Sequence, residues 1–201
     1  MQDKRLRLRE IANLQGGYFT TRQATVNGFE PRNAPYYVST GEWIREVHGI
    51  YRLAGVPSID PSRDELHLWL LWTIGRKAEK PRGALAFETA LSVFNLSDLI
   101  PSKVHISVPR SFKVSKLPKV VSLHHEDRHP NDTIEHDGLR VVRPLVTIID
   151  IMREGRISPE HIERAFKDGI RQGIITLKEI DKADFKPKER DAIKSWLKEK
   201  E

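Results

Sequence analysis

Residues 16–53 read GGYFTTRQATVNGFEPRNAPYYVSTGEWIREVHGIYRL and decide the fold of the first part of the chain. Their opening predicts a loop that leads into a short helix. Thr20 or Thr21 suits the N-cap of that helix, because a hydroxyl oxygen can accept a hydrogen bond from a free amide of the first turn. Asn27-Gly28 suits its end, since both residues tolerate the left-handed backbone that often follows a helix.

A second helix is expected within EPRNAPYYVSTG. Pro31 suits the first helical position, where no amide hydrogen is needed, and Gly41 suits the residue after the last turn. Pro35 falls inside the same run. Either the helix therefore begins later, with Asn33 as its cap, or its first turn is distorted.

Two runs of alternating bulky and polar residues, WIREV and IYRL, stand on either side of His48-Gly49. This pattern predicts a two-residue β-hairpin. The leading segment DKRLRLREIANL, with Leu6, Ile11 and Leu14 as its apolar residues, predicts an opening amphipathic helix. Three helices followed by a hairpin are the order of a winged helix-turn-helix, a fold that binds DNA in many proteins.

Helical spacing places Ala34, Tyr37, Val38 and Gly41 on the core side of the second helix. The opposite side is polar and suits contacts with base edges or phosphates in a major groove. The residues expected to contact DNA are Arg32, Asn33, Tyr36, Ser39 and Thr40 on this helix, and Arg5, Arg7, Thr20, Thr21, Arg22, Arg45, His48 and Arg52 around it. Because this helix carries a single arginine, the alternative of a winged-helix protein-interaction module stays open.

The chain has 201 residues, a formal net charge of +6 and no cysteine. The charge favours an anionic partner, and residues 1–56 contribute eight basic against five acidic side chains. Without cysteine we expect neither disulfides nor a thiolate nucleophile. The charged N-terminus does not resemble a signal peptide, and the longest apolar run is too short to span a bilayer. We therefore expect a cytoplasmic protein without a membrane role.

The segment AGVPSIDPS breaks the periodic pattern, so we place a boundary between a domain of residues 1–56 and one of residues 57–201. A capping box from Ser62 to Glu65 is expected to open a helix with a buried stripe. Trp69 and Trp72 in that helix are interpreted as packing rather than as a platform for bases. The apolar stripe comprises Leu66, Trp69, Leu70 and Thr73.

The rest of the second domain mixes helical and strand patterns. LAFETALSVFNLSD predicts a helix, and KVHISVPRSF, VVSLHHED and LRVVRPLVTIID predict short strands. Ser158-Pro159-Glu160, the capping box of Thr176 with Glu179, and KPKERDAIKSWLKEKE predict helices at the end. The fold class is therefore α+β, a winged helix-turn-helix followed by a mixed domain with a small sheet and a helical C-terminus.

The cluster HHEDRHP contains side chains that can bind metals. Neighbours on an extended segment point to opposite faces, so at most His125, Asp127 and His129 would converge on one ion. A solvated loop is the interpretation we favour, and Asp150 is expected to cap a following helix. We find no nucleophile elbow and no phosphate-binding loop, and predict no enzyme, no cofactor and no metal site.

A second basic patch comprises Arg110, Lys113, Lys116 and Lys119 in VPRSFKVSKLPK. These residues, with Phe112 among them, would flank nucleic acid or meet an acidic protein partner. A loop between strands that contacts neither is an equally good interpretation.

Several collinear blocks resemble the AbiEi antitoxin family of type IV abortive-infection toxin-antitoxin systems. They include GGYFTTRQA, YYVSTGEWIREVHGIYRL, FETALSVFNLSD, KVHISVPRSF, and DGLRVVRPLVTIIDI followed by ERAFKDGIRQGI. The resemblance implies a bacterial autorepressor involved in phage defence, whose N-terminal domain binds operator inverted repeats. It also implies a C-terminal domain that counteracts a nucleotidyltransferase toxin encoded adjacently. Members also occur as regulators without an obvious toxin, and the neutralising residues and the oligomeric state on DNA stay open.

Overall fold

The computed structural model describes residues 2–58, 60–74 and 80–198, and gives a mixed α+β chain with two sheets. The chain divides into two compact units. One contains Met1–Gly83 with Asp137–Leu139, and the other contains Ala84–His136 with Arg140–Glu201. The first unit therefore extends past residue 56, the boundary expected from the sequence. Within the described ranges no helix is both long and apolar enough to cross a membrane.

Within its described residues the first unit contains four α-helices and a three-stranded antiparallel sheet with the order β1-β3-β2. Its elements are α1 (Gln2–Asn13), β1 (Tyr18–Thr20), α2 (Thr21–Val26), α3 (Ala34–Ser39), β2 (Trp43–Val47), β3 (Ile50–Leu53) and α4 (Pro61–Trp72).

The caps of α2 confirm the sequence prediction for this helix. The Gln23 amide donates to Oγ1 of Thr20 at 3.1 Å, and the Thr20 amide donates to Oε1 of Gln23 at 2.8 Å. This reciprocal pair satisfies two amides that the first turn leaves without partners. Asn27 ends the helix, and Gly28 follows with a φ of 85°.

The start of α3 combines the two alternatives left by Pro35, because a 3-10 turn precedes the helix and Asn33 makes no side-chain cap hydrogen bond. Residues Pro31–Asn33 form a 3-10 turn, and Asn33 then stands at the N-cap position with Pro35 in the first turn of α3. Proline is tolerated there because its missing amide would have had no helical partner. Gly41 follows the helix with a φ of 75°.

The predicted hairpin is confirmed between β2 and β3. Val47 pairs with Ile50 across the turn, and the register shifts between Arg45 and Val47. Gly49 has a φ of 77°, which a glycine adopts without steric cost. The turn therefore fixes the strand register locally.

Aromatic rings fill the core of the first unit, where Phe19 and Trp43 meet edge to face at 4.8 Å. The helix α1 adds Leu8 and Ala12, which are buried. The opening helix that the sequence predicts is present, but its predicted apolar side is wrong, because Leu6 and Leu14 are exposed. The four-residue spacing of Leu8 and Ala12 places both on one helical face, whereas Leu6 and Leu14 lie away from it.

The helix α4 begins two residues earlier than expected. Asp60, not Ser62, is its N-cap, and the Arg63 amide donates to Oδ1 of Asp60 at 3.1 Å. Trp69 is buried and its Nε1 donates to Oε1 of Glu65 at 2.9 Å. That side chain is therefore packed rather than free to stack on a base. Gly75, the last residue of the apolar run LHLWLLWTIG, lies outside the described residues.

The second unit contains a five-stranded sheet with the order β6-β5-β4-β8-β7 and five helices within its described residues. β4 pairs antiparallel with β5 and parallel with β8, and β5 pairs parallel with β6. The elements are β4 (Ala84–Leu85), α5 (Phe87–Val93), β5 (Val104–Val108), β6 (Val121–His125), β7 (Thr133–His136), β8 (Leu139–Val142), α6 (Pro144–Glu154), α7 (Pro159–Arg171), α8 (Leu177–Lys182) and α9 (Pro187–Lys198).

One strand prediction in this unit is wrong. LRVVRPLVTIID divides at Arg143 into the short strand β8 and the helix α6, with Pro144 at the start of the helix. A continuous apolar run does not by itself distinguish a buried strand from a buried helix. The expected helix starts at Pro159 and at Thr176 are confirmed, while residues 199–201 of the expected last helix lie outside the described residues.

Candidate nucleic-acid interface

The helix α3 presents the polar face that the sequence predicts. Ala34 and Tyr37 are buried, and Val38 packs against the same core. The opposite face is exposed, and it comprises Arg32, Asn33, Tyr36, Ser39 and Thr40. The orientation of this helix is therefore confirmed for Ala34, Tyr37 and Val38. Gly41, which was also expected on the core side, is exposed beyond the end of the helix, and contact with DNA stays a prediction.

Aromatic packing fixes this face in position. The ring of Tyr37 stacks on Trp43 of the hairpin, with centroids 4.6 Å apart and an interplanar angle of 24°. Phe29 meets Tyr37 edge to face at 5.5 Å. A helix anchored by buried rings presents its exposed side chains with little freedom to tilt.

The donors on the exposed face are concentrated at the start of α3. Oγ of Ser39 donates to the carbonyl of Tyr36 at 2.9 Å, and Oγ1 of Thr40 donates to the carbonyl of Tyr37 at 3.1 Å. Both hydroxyl protons are thus used within the helix. Among the described residues, the side chains of Arg32 and Asn33 have no hydrogen-bond or ion-pair partner, so their donors remain available.

The hairpin turn is tied to the start of α2. The amide and Oγ1 of Thr21 both donate to the carbonyl of Gly49, at 2.9 Å and 3.2 Å. Nη2 of Arg45 lies 3.2 Å from Nδ1 of His48, and both side chains are exposed. The hairpin turn and the start of α2, which were both expected to contact phosphates, are therefore held together. Arg22 is exposed on the same helix as Thr21.

Thr20 occupies a different environment from the other predicted contacts. It is 8% exposed, and its hydroxyl forms the N-cap of α2 with Gln23. A buried hydroxyl that already caps a helix cannot reach a phosphate. We therefore interpret Thr20 as structural.

Three of the predicted basic contacts in this unit are paired with carboxylates, which the sequence did not indicate. Arg5 lies 37 residues from its partner, and such a distant pair has no local pattern. The exposed members of these pairs can exchange partners at little cost, because surface ion pairs are weak. The pairs are Arg5–Glu42 at 3.0 Å, Arg7–Asp3 at 3.3 Å and Arg52–Glu46 at 3.0 Å.

A stretch of the second unit, residues 99–125, contains five lysine or arginine side chains and no aspartate or glutamate. We call it the cationic segment. It includes β5, β6 and the connection between them. All five cations are exposed, and within the described parts of the chain none has an ion-pair partner. They are Lys103, Arg110, Lys113, Lys116 and Lys119.

Phe112, which was expected to flank nucleic acid beside these cations, is 5% exposed. Its ring belongs to the interior of the second unit, so it offers no stacking surface. The cationic segment therefore offers charge alone to an anionic partner.

The HHEDRHP cluster divides among separate partners. His125 is exposed at the end of β6, the Arg110 amide donates to Oδ1 of Asp127 at 3.1 Å, and the Asn131 amide donates to Nδ1 of His129 at 3.2 Å. The three alternate members therefore do not converge. In the described part of the chain no three His, Cys, Asp or Glu side chains form a group suited to a metal ion.

The sequence suggested that Asp150 caps a helix, and this prediction is wrong. Asp150 lies inside α6 and is 8% exposed. Its Oδ2 accepts a hydrogen bond from Nη2 of Arg128 at 2.7 Å, and Nε of Arg128 donates to Oγ of Ser107 at 2.7 Å. Burial raises the pKa of Asp150 to about 6, against the opposing effect of the Arg128 guanidinium. Sequence reasoning missed this pair because a buried arginine has no signature of its own.

Comparisons with known proteins add a structural likeness. A scan against protein-family models and a search of curated proteins both find no match. Among solved structures, the crystal structure of RV2827C protein from Mycobacterium tuberculosis is similar to this chain with a TM-score of 0.47 and 16% sequence identity. The similar region covers 82% of this chain and 71% of that chain.

Proposed function

We propose that this chain is a DNA-binding transcriptional repressor whose N-terminal part is a winged helix-turn-helix. The observation that carries the proposal is the exposed polar face of α3, where Arg32 and Asn33 have free donors and the opposite side is anchored in an aromatic core. In helix-turn-helix proteins the first residues of the recognition helix contact base edges. Asn33 stands at the N-cap position of α3, and Arg32 lies in the 3-10 turn directly before it.

The chemistry of these two side chains suits base recognition. An arginine can donate two parallel hydrogen bonds to guanine, and an asparagine can pair with the N6 and N7 edge of adenine. Arg45 and His48 on the hairpin, together with Arg22, suit contacts to phosphates, which position the protein without reading sequence. In this proposal the start of α3 contacts base edges, and the hairpin contacts the phosphate backbone of the DNA.

The resemblance to the AbiEi family extends the proposal to autorepression and to the role of antitoxin in a type IV pair. On this view the operator contains inverted repeats upstream of the gene, and the second unit counteracts a nucleotidyltransferase toxin. The test is co-expression of this chain with a nucleotidyltransferase from the neighbouring reading frame. Restored growth supports the antitoxin role, whereas continued growth arrest with both proteins present contradicts it.

A second candidate is a protein-interaction module, and exposed apolar side chains in the first unit favour it. Val26 is 78% exposed and Tyr36 is 61% exposed. Apolar surface of this kind gains free energy against a protein but little against phosphates. In this alternative the polar face of α3 binds no operator.

A mobility-shift titration distinguishes the two candidates. The DNA directly upstream of the gene and a random duplex of equal length are compared at two salt concentrations. A repressor binds the upstream DNA more tightly at both concentrations, because direct base contacts persist when phosphate contacts are screened. Equal affinity for the two duplexes contradicts specific repression and leaves the interaction module.

A further inference from the structure

Three titratable side chains that the proposed function does not use meet between α5, β5 and β6. Nδ1 of His105 lies 2.9 Å from Nε2 of His124 and 3.5 Å from Oε2 of Glu88. The strand register explains the meeting, because His124 pairs with Ser107, and His105 and Ser107 share one face of β5. We call Glu88, His105 and His124 the His–Glu cluster.

The cluster contains one acceptor without a donor. A hydrogen bond between two neutral imidazoles uses a single proton, with one ring donating and the other accepting. Oε2 of Glu88 is buried and has no hydrogen-bond partner within the described residues. Native structures leave few buried polar atoms in this state, so each one requires a reason. One more proton on the imidazole pair would place a positive charge beside this carboxylate.

The same histidines hold the first turn of α5. The ring of Phe87 stacks on His124 with centroids 3.9 Å apart, although Phe87 has a φ of 50°, which is uncommon for a bulky residue. The His105 amide donates to Oγ1 of Thr89 at 2.9 Å, and the Ala86 amide donates to the carbonyl of His105 at 3.0 Å. Both histidines therefore contact the start of α5 directly, His124 through its ring and His105 through its backbone.

Charged groups surround the cluster from several directions. Burial lowers the pKa of His105, and the carboxylate of Glu88 opposes this effect. Burial, with His105 and nearby arginines adding to it, lowers the pKa of His124 to about 4. Both rings are therefore neutral at neutral pH. The other charged groups that act on them are Lys103 before β5, Arg128 after β6, Glu154 at the end of α6 and Arg156 just beyond it.

We propose that the His–Glu cluster is a proton-controlled switch that holds the first turn of α5 on β5 when neutral and releases it when acid is added. The undocked histidines are in water and bind protons more readily than the buried pair, so acid favours the undocked form. The free energy of docking is most favourable above the ordinary pKa of histidine. It becomes less favourable as the pH falls from that value toward the lower pKa of the buried rings. The positive charges of Arg128 and Arg156 oppose protonation of the His124 ring while it is buried.

Amide hydrogen exchange of the full chain tests this proposal, independently of DNA binding. The amides of Ala86 and His105 report docking directly, and their protection is measured from pH 7.5 to pH 5 after correction for intrinsic exchange. We expect protection to fall by up to about tenfold per pH unit for each proton linked to undocking. Protection that stays constant over this range overturns the proposal.

Three variants sharpen the experiment. Glu88→Gln removes the charge that favours a protonated His105, so the pKa of this buried ring falls further. The loss of protection between pH 7.5 and pH 5 should then be larger than in the original chain. His124→Gln removes one titrating ring and should weaken the pH dependence. The matched control is His125→Gln, because His125 is the next residue of β6 and is exposed. If His125→Gln changes the pH profile as much as His124→Gln, the cluster is not the switch.

Two measurements on the unmodified chain keep the proposal testable if a variant does not fold. The ring resonances of both His105 and His124 should respond to the same titration steps, below the ordinary range of histidine, because the two rings are in contact. Separate midpoints at the ordinary value overturn the proposal. Stoichiometric binding of Zn²⁺ at neutral pH also overturns it, because the partner of Glu88 would then be a metal rather than a proton.

Discussion

At the scale of single residues, a variant of Thr20 tests whether this side chain stabilises the fold or contacts DNA. Its buried hydroxyl caps α2, and replacing such a cap by alanine costs about 1 kcal/mol. We expect Thr20→Ala to lower the free energy of unfolding by this amount and to leave the preference for upstream over random DNA unchanged. Urea unfolding and mobility shifts measure the two effects.

Thr25→Ala is the matched control for Thr20. The Thr25 side chain is exposed on the same helix, and its hydroxyl donates only to the carbonyl of Thr21. We expect little change in stability, because exposed helical sites tolerate alanine. An equal loss of stability in both variants contradicts the capping role of Thr20.

The buried pair of Arg128 and Asp150 makes stability depend on pH. The raised pKa of Asp150 means that the folded state keeps a proton which the unfolded state loses, so this group favours folding at low pH and less so as the pH rises from about 4 to about 6. Removing the cation strengthens this dependence. We expect Arg128→Met to cost about 3 kcal/mol at pH 8 and less at pH 5.

Urea unfolding at the two pH values checks this prediction. Arg171→Met is the control, because the Arg171 side chain is 75% exposed and pairs with Asp168 on the surface of α7. Exposed pairs contribute up to about 1 kcal/mol. A loss for Arg128→Met that is larger at pH 5 than at pH 8 contradicts the account of Asp150.

At the scale of elements, the local turns were predictable because their causes are adjacent in the sequence. The α2 cap requires Thr20 and Gln23, three residues apart, and the hairpin turn is His48-Gly49 itself. The exposed face of α3 followed from helical periodicity alone. These features need no knowledge of distant residues.

Features that depend on distant partners were not predictable. The carboxylate of Glu42 neutralises Arg5 across 37 residues, and Arg128 reaches Asp150 from a different element. α6 was taken for a strand because its apolar run satisfies either structure until packing decides. The Glu88 contact with His105 likewise requires the sheet register that brings α5 onto β5.

The cationic segment allows a prediction for a whole connection. Each lysine that contacts a phosphate of duplex DNA adds about 0.9 to the slope of log affinity against log salt. We expect Lys113→Ala, Lys116→Ala and Lys119→Ala each to reduce that slope by about this amount, with the same loss for upstream and random DNA. Titration at four salt concentrations measures it.

The control for this series is Lys188→Ala, which removes one exposed cation from α9, outside the cationic segment. Lys188→Ala should leave the slope unchanged if the salt dependence comes from direct contact of the cationic segment with DNA rather than from net charge. A slope that is the same in all four variants and in the original chain contradicts contact with DNA. An acidic protein partner would then be the remaining candidate to bind the cationic segment.

At the scale of the whole molecule, the two units carry their positive charge in different ways. In the first unit several arginines are paired with carboxylates, whereas among its described residues the side chains of Arg32 and Asn33, at the start of α3, have donors without a partner. In the second unit the cationic segment has no acidic residue at all. The proposed function therefore places sequence preference in the first unit and salt-dependent affinity for DNA in both units.

The central claim is that the exposed face of α3 reads bases. The most direct test is the ratio of affinities for upstream and random DNA, measured at one salt concentration for the original chain, for the double variant Arg32→Ala with Asn33→Ala, and for the control Arg171→Ala. Bidentate base contacts contribute about 1–3 kcal/mol each, so the ratio should fall at least about tenfold in the double variant and stay unchanged in the control. A ratio that the double variant leaves intact contradicts the claim.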